Sequence, residues 1–391
     1  MDVNRFASSP VGSLVPISGW DPRYNEEYNH HAFLAHPLPS KLDLQPDSYR
    51  AVTSATAAIA RLDQASVRLP NPMLLARPAI RREAVSTSAL EGTYAALDDV
   101  LEADFLNRDQ LSSSVAEVRN YVEAAELAYE WITQAPITLG MLCQLQKILV
   151  RGTRGETAEA GDLRSTQVFI GASGVRVRDA RFVPAPHGDQ LKAGVEAWLD
   201  WIKAVGDDPL LVKIAVGHYQ FETLHPFNDG NGRLGRLVCV LQMMVDGELR
   251  VPVLNISPWL EARRREYQDH LLAVSATGDF NPWVQFFCEA VRAQAVREVE
   301  RIDALLDWRD NALARLRENN LRGVAERITE ELIGFPMITP TAAAARYNVT
   351  YPGANKAISR LVMLGILRER TGRSYGRVFA APDVLRIIEE P

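Results

Sequence analysis

The chain has 391 residues, 47% of them hydrophobic and 24% charged, and a formal net charge of −6. This balance supports two or three globular units, excludes a disordered or low-complexity chain, and is too acidic for a protein coated in nucleic acid. Its three cysteines, Cys143, Cys239 and Cys288, lie far apart in apolar helical contexts. That excludes a disulfide framework or a zinc cluster and marks them as core thiols.

The start, Met1-Asp2-Val3-Asn4-Arg5, has neither the basic nor the apolar stretch of a signal peptide, and no apolar run approaches the length of a membrane span. A cytoplasmic protein with no membrane partner is expected. Up to about Pro70 the chain is rich in Pro, Tyr and His, with a helix near Ser48 to Val67. Ala79 to Gly92 predicts a second helix, stopped by its C-terminal glycine. Helices dominate from about Val115 to Glu298. They are interrupted where Val168, Ile170, Val175 and Val177 alternate as strand residues around a turn at Ala172-Ser173-Gly174. Leu210 to Leu224 carries apolar residues at mixed three- and four-residue steps and predicts a largely buried helix.

The next stretch, His225-Pro-Phe-Asn-Asp-Gly-Asn-Gly-Arg-Leu-Gly-Arg236, carries the chemistry. Pro226 pushes His225 out of the helix, so its imidazole can face a cleft. Asn228 to Gly232 is a turn whose glycines allow positive φ and close approach to the backbone. An apolar helix resumes at Arg233, so loop amides and helix N-terminus point one way and form an anion site suited to phosphates. Arg233 and Arg236, three apart, can both reach that anion, and Asp229 is a hard oxygen ligand of the kind Mg²⁺ uses when it shares substrate phosphates. A base, a magnesium carboxylate and a phosphate nest suggest nucleotidyl or phosphoryl transfer to a hydroxyl.

The stretch resembles the Fic family signature HxFx(D/E)GNGRxxR, met by His225, Phe227, Asp229, Gly230, Asn231, Gly232, Arg233 and Arg236. The resemblance implies a mainly α fold, a Fic helical core with a short β-hairpin flap. It also implies transfer of AMP from ATP, with Mg²⁺, to a Ser, Thr or Tyr hydroxyl of a protein, the chain itself included. His225 would take the hydroxyl proton, which suits an imidazole of ordinary pKa about 6.5. Asp229 would hold Mg²⁺. The amides of Gly230, Asn231 and Gly232 and the helix start through Leu234 and Gly235 would bind the nucleotide, with Arg233 and Arg236 on the β and γ phosphates. Kinase-like relatives have an altered GNGR segment, whereas Gly230 and Gly232 are both present here, which favours AMP transfer.

Thr87 to Gly92 resembles the family's (S/T)xxxE(G/N) inhibitory motif, with Thr87 and Glu91 at its defined positions. It implies that Glu91 pairs with Arg236 where the γ-phosphate would lie. The strand segment resembles the flap that registers a target by strand addition. Glu261 to Gln268 resembles the helix closing the adenine side, with Tyr267 against the base. This chain has Tyr267-Gln268 where many relatives carry two tyrosines.

Trp283 to about Arg317 predicts a long amphipathic connector helix. Beyond Arg322, a capped short helix in Ile338 to Thr350 and a second helix from Tyr351 resemble a winged helix-turn-helix, with Arg373 to Arg377 at the wing tip. Asn355, Lys356, Ser359 and Arg360 would face outward, and Arg370, Arg373 and Arg377 add positive charge. DNA is a candidate partner of this tail, which can equally serve dimerisation, and a homodimer is expected. The expected division is 1–110, an accessory region with the inhibitory helix; 111–320, the catalytic domain; and 321–391, the winged helix. Two other readings stay open. One is a regulator acting through the winged helix, with vestigial or mainly AMP-removing activity. The other is a metal hydrolase using His225, Asp229 and His218, which no HExxH or Cys/His cluster supports.

Overall fold

The computed structural model describes residues 1–21, 23–171, 174–372 and 376–390, and it is built mainly of helices with two small antiparallel sheets. In chain order the first helices are α1 (Pro46–Ser66), α2 (Met73–Leu90), α3 (Leu97–Glu102), α4 (Ser113–Trp131), α5 (Leu139–Val150) and α6 (Asp189–Lys203). They are followed by α7 (Leu210–Leu224), α8 (Asn231–Val245), α9 (Ser257–Glu261), α10 (Arg264–Thr277) and α11 (Asn281–Glu318). Among the described residues no helix is long and apolar enough to cross a membrane. Packing groups the chain into two compact units, each drawn from three segments.

The first unit comprises residues 1–57, 123–247 and 259–292. At its centre α7 is buried on nearly every side, as its unbroken apolar run demands. Trp198 of α6 and Trp283 of α11 each donate an indole N–H to an α7 carbonyl, Gly217 O (2.8 Å) and Ala215 O (2.7 Å). Against α7 lies α8, held close because Gly235 has no side chain: a Cβ there would sit 2.9 Å from Phe221 Cδ1.

A hairpin that the sequence pattern hid, β1 (Gly12–Asp21) and β2 (Glu26–Ala35), pairs Gly12 with Ala35 and Asp21 with Glu26. Pro16 and Gly19 inside β1 blur the strand signal. One face of it is buried: the Phe33 ring lies 5.7 Å from Phe6 and 5.5 Å from Phe182, and Phe33 N donates to Val183 O at 2.8 Å. This packing reshapes the expected flap. Ile170 pairs with Phe182, through Ile170 N to Phe182 O (2.9 Å) and Arg181 N to Ile170 O (2.8 Å). Val177 does not continue a strand. It begins a 3₁₀ turn, Val177–Asp179, and is buried among Phe33, Phe182 and Val183. Of the positions that alternate like a strand, Ile170, Val175 and Val177 pack in one cluster with Phe33 of the hairpin. The turn residues Ala172 and Ser173 lie outside the described residues.

The second unit comprises residues 58–122, 248–258 and 293–391. Here α2 runs longer than the sequence predicted, from Met73, and ends at Leu90 with Gly92 at φ 88°. It buries three consecutive charged residues, Arg81, Arg82 and Glu83, each with a partner. Arg81 Nη2 donates to Asp104 (2.9 Å), Arg82 Nη1 to Glu298 (2.8 Å), and Glu83 accepts from Ser257 N (3.0 Å). Glu298 is a hub, also accepting from Asn255 Nδ2 (3.2 Å) and from Arg301. Burial depresses the Arg82 guanidinium below its ordinary range, and Glu298 acts against that.

The tail runs α12 (Val324–Glu331), β3 (Met337–Ile338), α13 (Pro340–Tyr347), α14 (Tyr351–Met363), β4 (Arg368–Glu369), β5 (Phe379–Ala380) and α15 (Pro382–Glu389), with sheet order β3-β5-β4. Thr339 and Thr350 cap α13 and α14. Lys356, Ser359 and Arg360 are exposed on α14 and Asn355 is half-buried, bonded to Arg377 Nη2 at 2.9 Å. Arg370 is occupied by Asp98 (2.6 Å) and Glu102 (3.2 Å), so its charge is offset rather than offered outward. The wing-tip residues Arg373, Ser374 and Tyr375 lie outside the described residues.

Candidate active site

The end of α7 sets the site. His225 caps the helix in the left-handed region (φ 48°, ψ 62°), with its N–H on Phe221 O at 3.0 Å. A side chain in that conformation costs roughly 1–2 kcal/mol. Arg164 holds it there. Its Nε donates to His225 O (2.8 Å), Nη2 to Ala185 O (2.5 Å), Nη1 to Thr166 O (3.1 Å), and its backbone N to Pro226 O (3.0 Å). Arg164 is 1% exposed, and burial pulls its guanidinium down to about 10, still cationic at neutral pH. The imidazole is half-buried, on a backbone that Arg164 holds in place.

From there the loop closes on itself. Phe227 N donates to Asn231 Oδ1 (2.9 Å) and Asn231 Nδ2 to Phe227 O (2.8 Å), so the Asn231 side chain braces the turn while its backbone opens α8. Gly230, at φ 84°, makes the left-handed step that lets α8 start. Further out, Asn228 Nδ2 donates to Glu159 Oε2 (2.8 Å) and Gln146 Nε2 to Asp229 O (3.0 Å). Hydrogen bonds, first from Ser165 and then from Asn228, hold the Glu159 carboxyl below its ordinary range.

Asp229 is half-exposed. Its Oδ1 accepts from Gly230 N (2.5 Å) and Arg233 Nη2 (3.1 Å), and Oδ2 lies against Gly155, where a Cβ would come within 1.8 Å. Arg233 and Arg236 are both 1% exposed. Leu234 and Gly235 are buried in α8, Gly235 on the side facing α7. Among the described residues no three His, Cys, Asp or Glu gather to hold a metal. The half-exposed Asp229 carboxylate could hold Mg²⁺ that arrives on phosphate oxygens.

His218, a candidate metal ligand by sequence, is 2% exposed with Nε2 2.7 Å from Tyr267 Oη. Burial first, and then the charge of Arg236, push its pKa to about 3, so it is a neutral core group. Tyr267, expected against an adenine, is itself 4% exposed, its ring near His218 and Trp283 at centroid distances of 6.0 and 5.9 Å. In this structure its hydroxyl is directed to the core. In the second unit, Thr87 is buried, and exposed Glu91 caps α2 with its N–H on Ser88 O at 3.0 Å.

Residues 136–243, spanning Arg164, His225 and the whole loop, match the model of the Fic/DOC family, and residues 49–130 match that of the Fic/DOC family N-terminal region. The chain carries Fic/DOC family domains. Protein adenylyltransferase fic-1 of Caenorhabditis elegans is 34% identical over 147 residues, 37% of this chain and 25% of its own length. Protein adenylyltransferase Fic of Drosophila grimshawi is 26% identical over 258 residues, 63% of this chain and 46% of its own. This chain thus spans a quarter to under a half of the length of these relatives. A crystal structure of a Fic family protein from Desulfovibrio desulfuricans shares the fold, with TM-score 0.56 and 19% identity over 88% of this chain and 98% of that one.

Three residues of the Fic/DOC loop's support escaped the sequence reading. The Arg164 side chain bonds to carbonyls that the chain brings in from positions 166, 185, 224 and 225, so no side-chain pattern announces it. Gly155 matters through the atom it lacks, and Gln146 through a bond across 83 residues.

Proposed function

We propose that the chain is a protein adenylyltransferase, which moves AMP from MgATP to a Ser, Thr or Tyr hydroxyl of a protein, itself included, and that Glu91 restrains it. The observation that carries this reading is the locked loop. Arg164 holds the backbone of His225 and the Asn231 side chain closes the turn that leads into 230–232, which supports preorganised electrostatic catalysis.

His225 accepts the proton as the target oxygen bonds to the α-phosphorus and the bond to the β-phosphate oxygen breaks, releasing pyrophosphate. Asp229 would hold the Mg²⁺ carried by ATP, which would neutralise charge on the phosphates, and Arg233 and Arg236 would bind the β and γ phosphates. Glu91, paired with Arg236, occupies the γ-phosphate position, so ATP settles in a posture unsuited to in-line attack. Incubation with ATP labelled at the α- or γ-phosphate tests this: label on protein from the α position alone supports AMP transfer, and label from the γ position overturns it.

A further inference from the structure

The second unit contains a cavity of about 260 Å³, near the lower end for small-molecule sites, and its walls are unusually cationic. Four arginines line it, Arg77, Arg81, Arg119 and Arg346, against one carboxylate, Asp104. Arg81 and Arg77 share that carboxylate at 2.9 and 3.7 Å. Arg119 donates to the carbonyls of Ala103 (3.2 Å) and Leu106 (3.4 Å), neutral acceptors that leave its charge uncompensated. Arg346 lies 4.0 Å from Glu331, which is not in the wall and already accepts from Tyr347 Oη at 3.0 Å.

Phe335 organises the wall. The guanidinium carbons of Arg346 and Arg77 are 3.5 and 4.2 Å from its ring centroid, so near that they must take opposite faces. Stacking engages the flat face of the Arg346 guanidinium and leaves its edge, with the in-plane N–H groups, to meet an acceptor. The lining itself carries four cations and one carboxylate, and a bound dianion would offset that excess of positive charge. The remaining wall, Leu101, Phe105, Pro336 and Met337, is apolar, which strengthens the attraction and suits a ligand with a short carbon body.

We propose that this cavity binds a small dianion, a phosphate ester or a dicarboxylate, through Arg119 and Arg346 with Arg77 and Arg81. Two of these arginines belong to α2, the helix that ends at Glu91, so occupancy of the cavity is thermodynamically linked to the state of that helix. The regulatory consequence rests on the proposed restraint by Glu91, whereas the site itself does not.

The test is calorimetric titration of the full chain with inorganic phosphate and, separately, with succinate, in an Arg236→Ala background that weakens anion binding at the catalytic loop. Binding should fall at least tenfold in Arg119→Gln and tighten in Asp104→Asn, a gain that a misfolded protein cannot imitate. The better of the two anions identifies the ligand class. Absence of binding by both, or equal affinity in all three proteins, overturns the site whatever the enzyme's activity proves to be.

Discussion

The catalytic loop and helix α2 make opposite use of their charged residues. In residues 225–236 the bonds that close the turn are short in sequence: Phe227 with Asn231, Asp229 with Gly230 and Arg233. In α2 the consecutive Arg81, Arg82 and Glu83 bond to partners 23, 216 and 174 positions away. The loop closes on itself through local bonds and is braced by Arg164, Gln146 and Glu159 from 61, 83 and 69 positions away, whereas the charged side chains of the helix find these partners at a distance. The turn is therefore encoded locally, and its bracing, like the placement of α2, is set by distant packing.

The sharpest way to break the loop's side of this contrast is His225→Ala. It should lower AMP transfer about 10²–10⁴-fold with ATP affinity nearly unchanged, as for a group acting in the transition state. Rates of label incorporation check this, and an unchanged rate ends the mechanism. For α2, Glu298→Ala leaves Arg82 and Arg301 buried without their shared carboxylate and should destabilise the fold by about 3–5 kcal/mol in urea unfolding. A loss below about 1 kcal/mol would show that the hub does not anchor the helix.

A subtler change separates positioning from chemistry. Gly155→Ala places a methyl where Asp229 Oδ2 lies, so the carboxylate must rotate away. Transfer should fall on the order of 10²-fold while the folded state persists, as for a displacement of about 1 Å in a reacting site. Wild-type activity in a folded Gly155→Ala protein would remove Asp229 from its proposed position.

The smallest effect concerns His218. Its folded pKa of about 3 lies below the unfolded value of 6.5, so the unfolded chain takes up a proton that the folded protein refuses. Stability from this group is complete above pH 6.5 and falls by about 1.4 kcal/mol per pH unit as pH drops towards 3. The slope of unfolding free energy against pH should be shallower by that amount in His218→Gln, and equal slopes would mean that His218 titrates normally in the folded protein.

Much of the site was legible because backbone constraints leave marks: Pro226 predicted the helix exit, and Gly230 the left-handed step into α8. The limits of α7 and the long span of α11 followed from uninterrupted apolar periodicity. What was hidden depended on distant partners. The β1–β2 hairpin is stabilised by Phe182 and Val183, whose arrival no local pattern announces, and their packing turned Val177 from a strand residue into a buried 3₁₀ turn. Tyr267 illustrates the same limit, since spacing along α10 does not reveal whether its hydroxyl meets a ligand or His218.

The measurement that tests the central claim most directly is auto-labelling from α-labelled ATP by the wild type, Glu91→Gly, Arg236→Ala and the double variant. Release of the restraint should accelerate labelling in Glu91→Gly by roughly 5–150-fold, the usual range of a coupling between sites. Arg236→Ala should be slow whether residue 91 is Glu or Gly, because the γ-phosphate contact is lost in both, so the two changes will not add. Labelling at the wild-type rate in Glu91→Gly, or strictly additive effects of the two changes, would contradict the account.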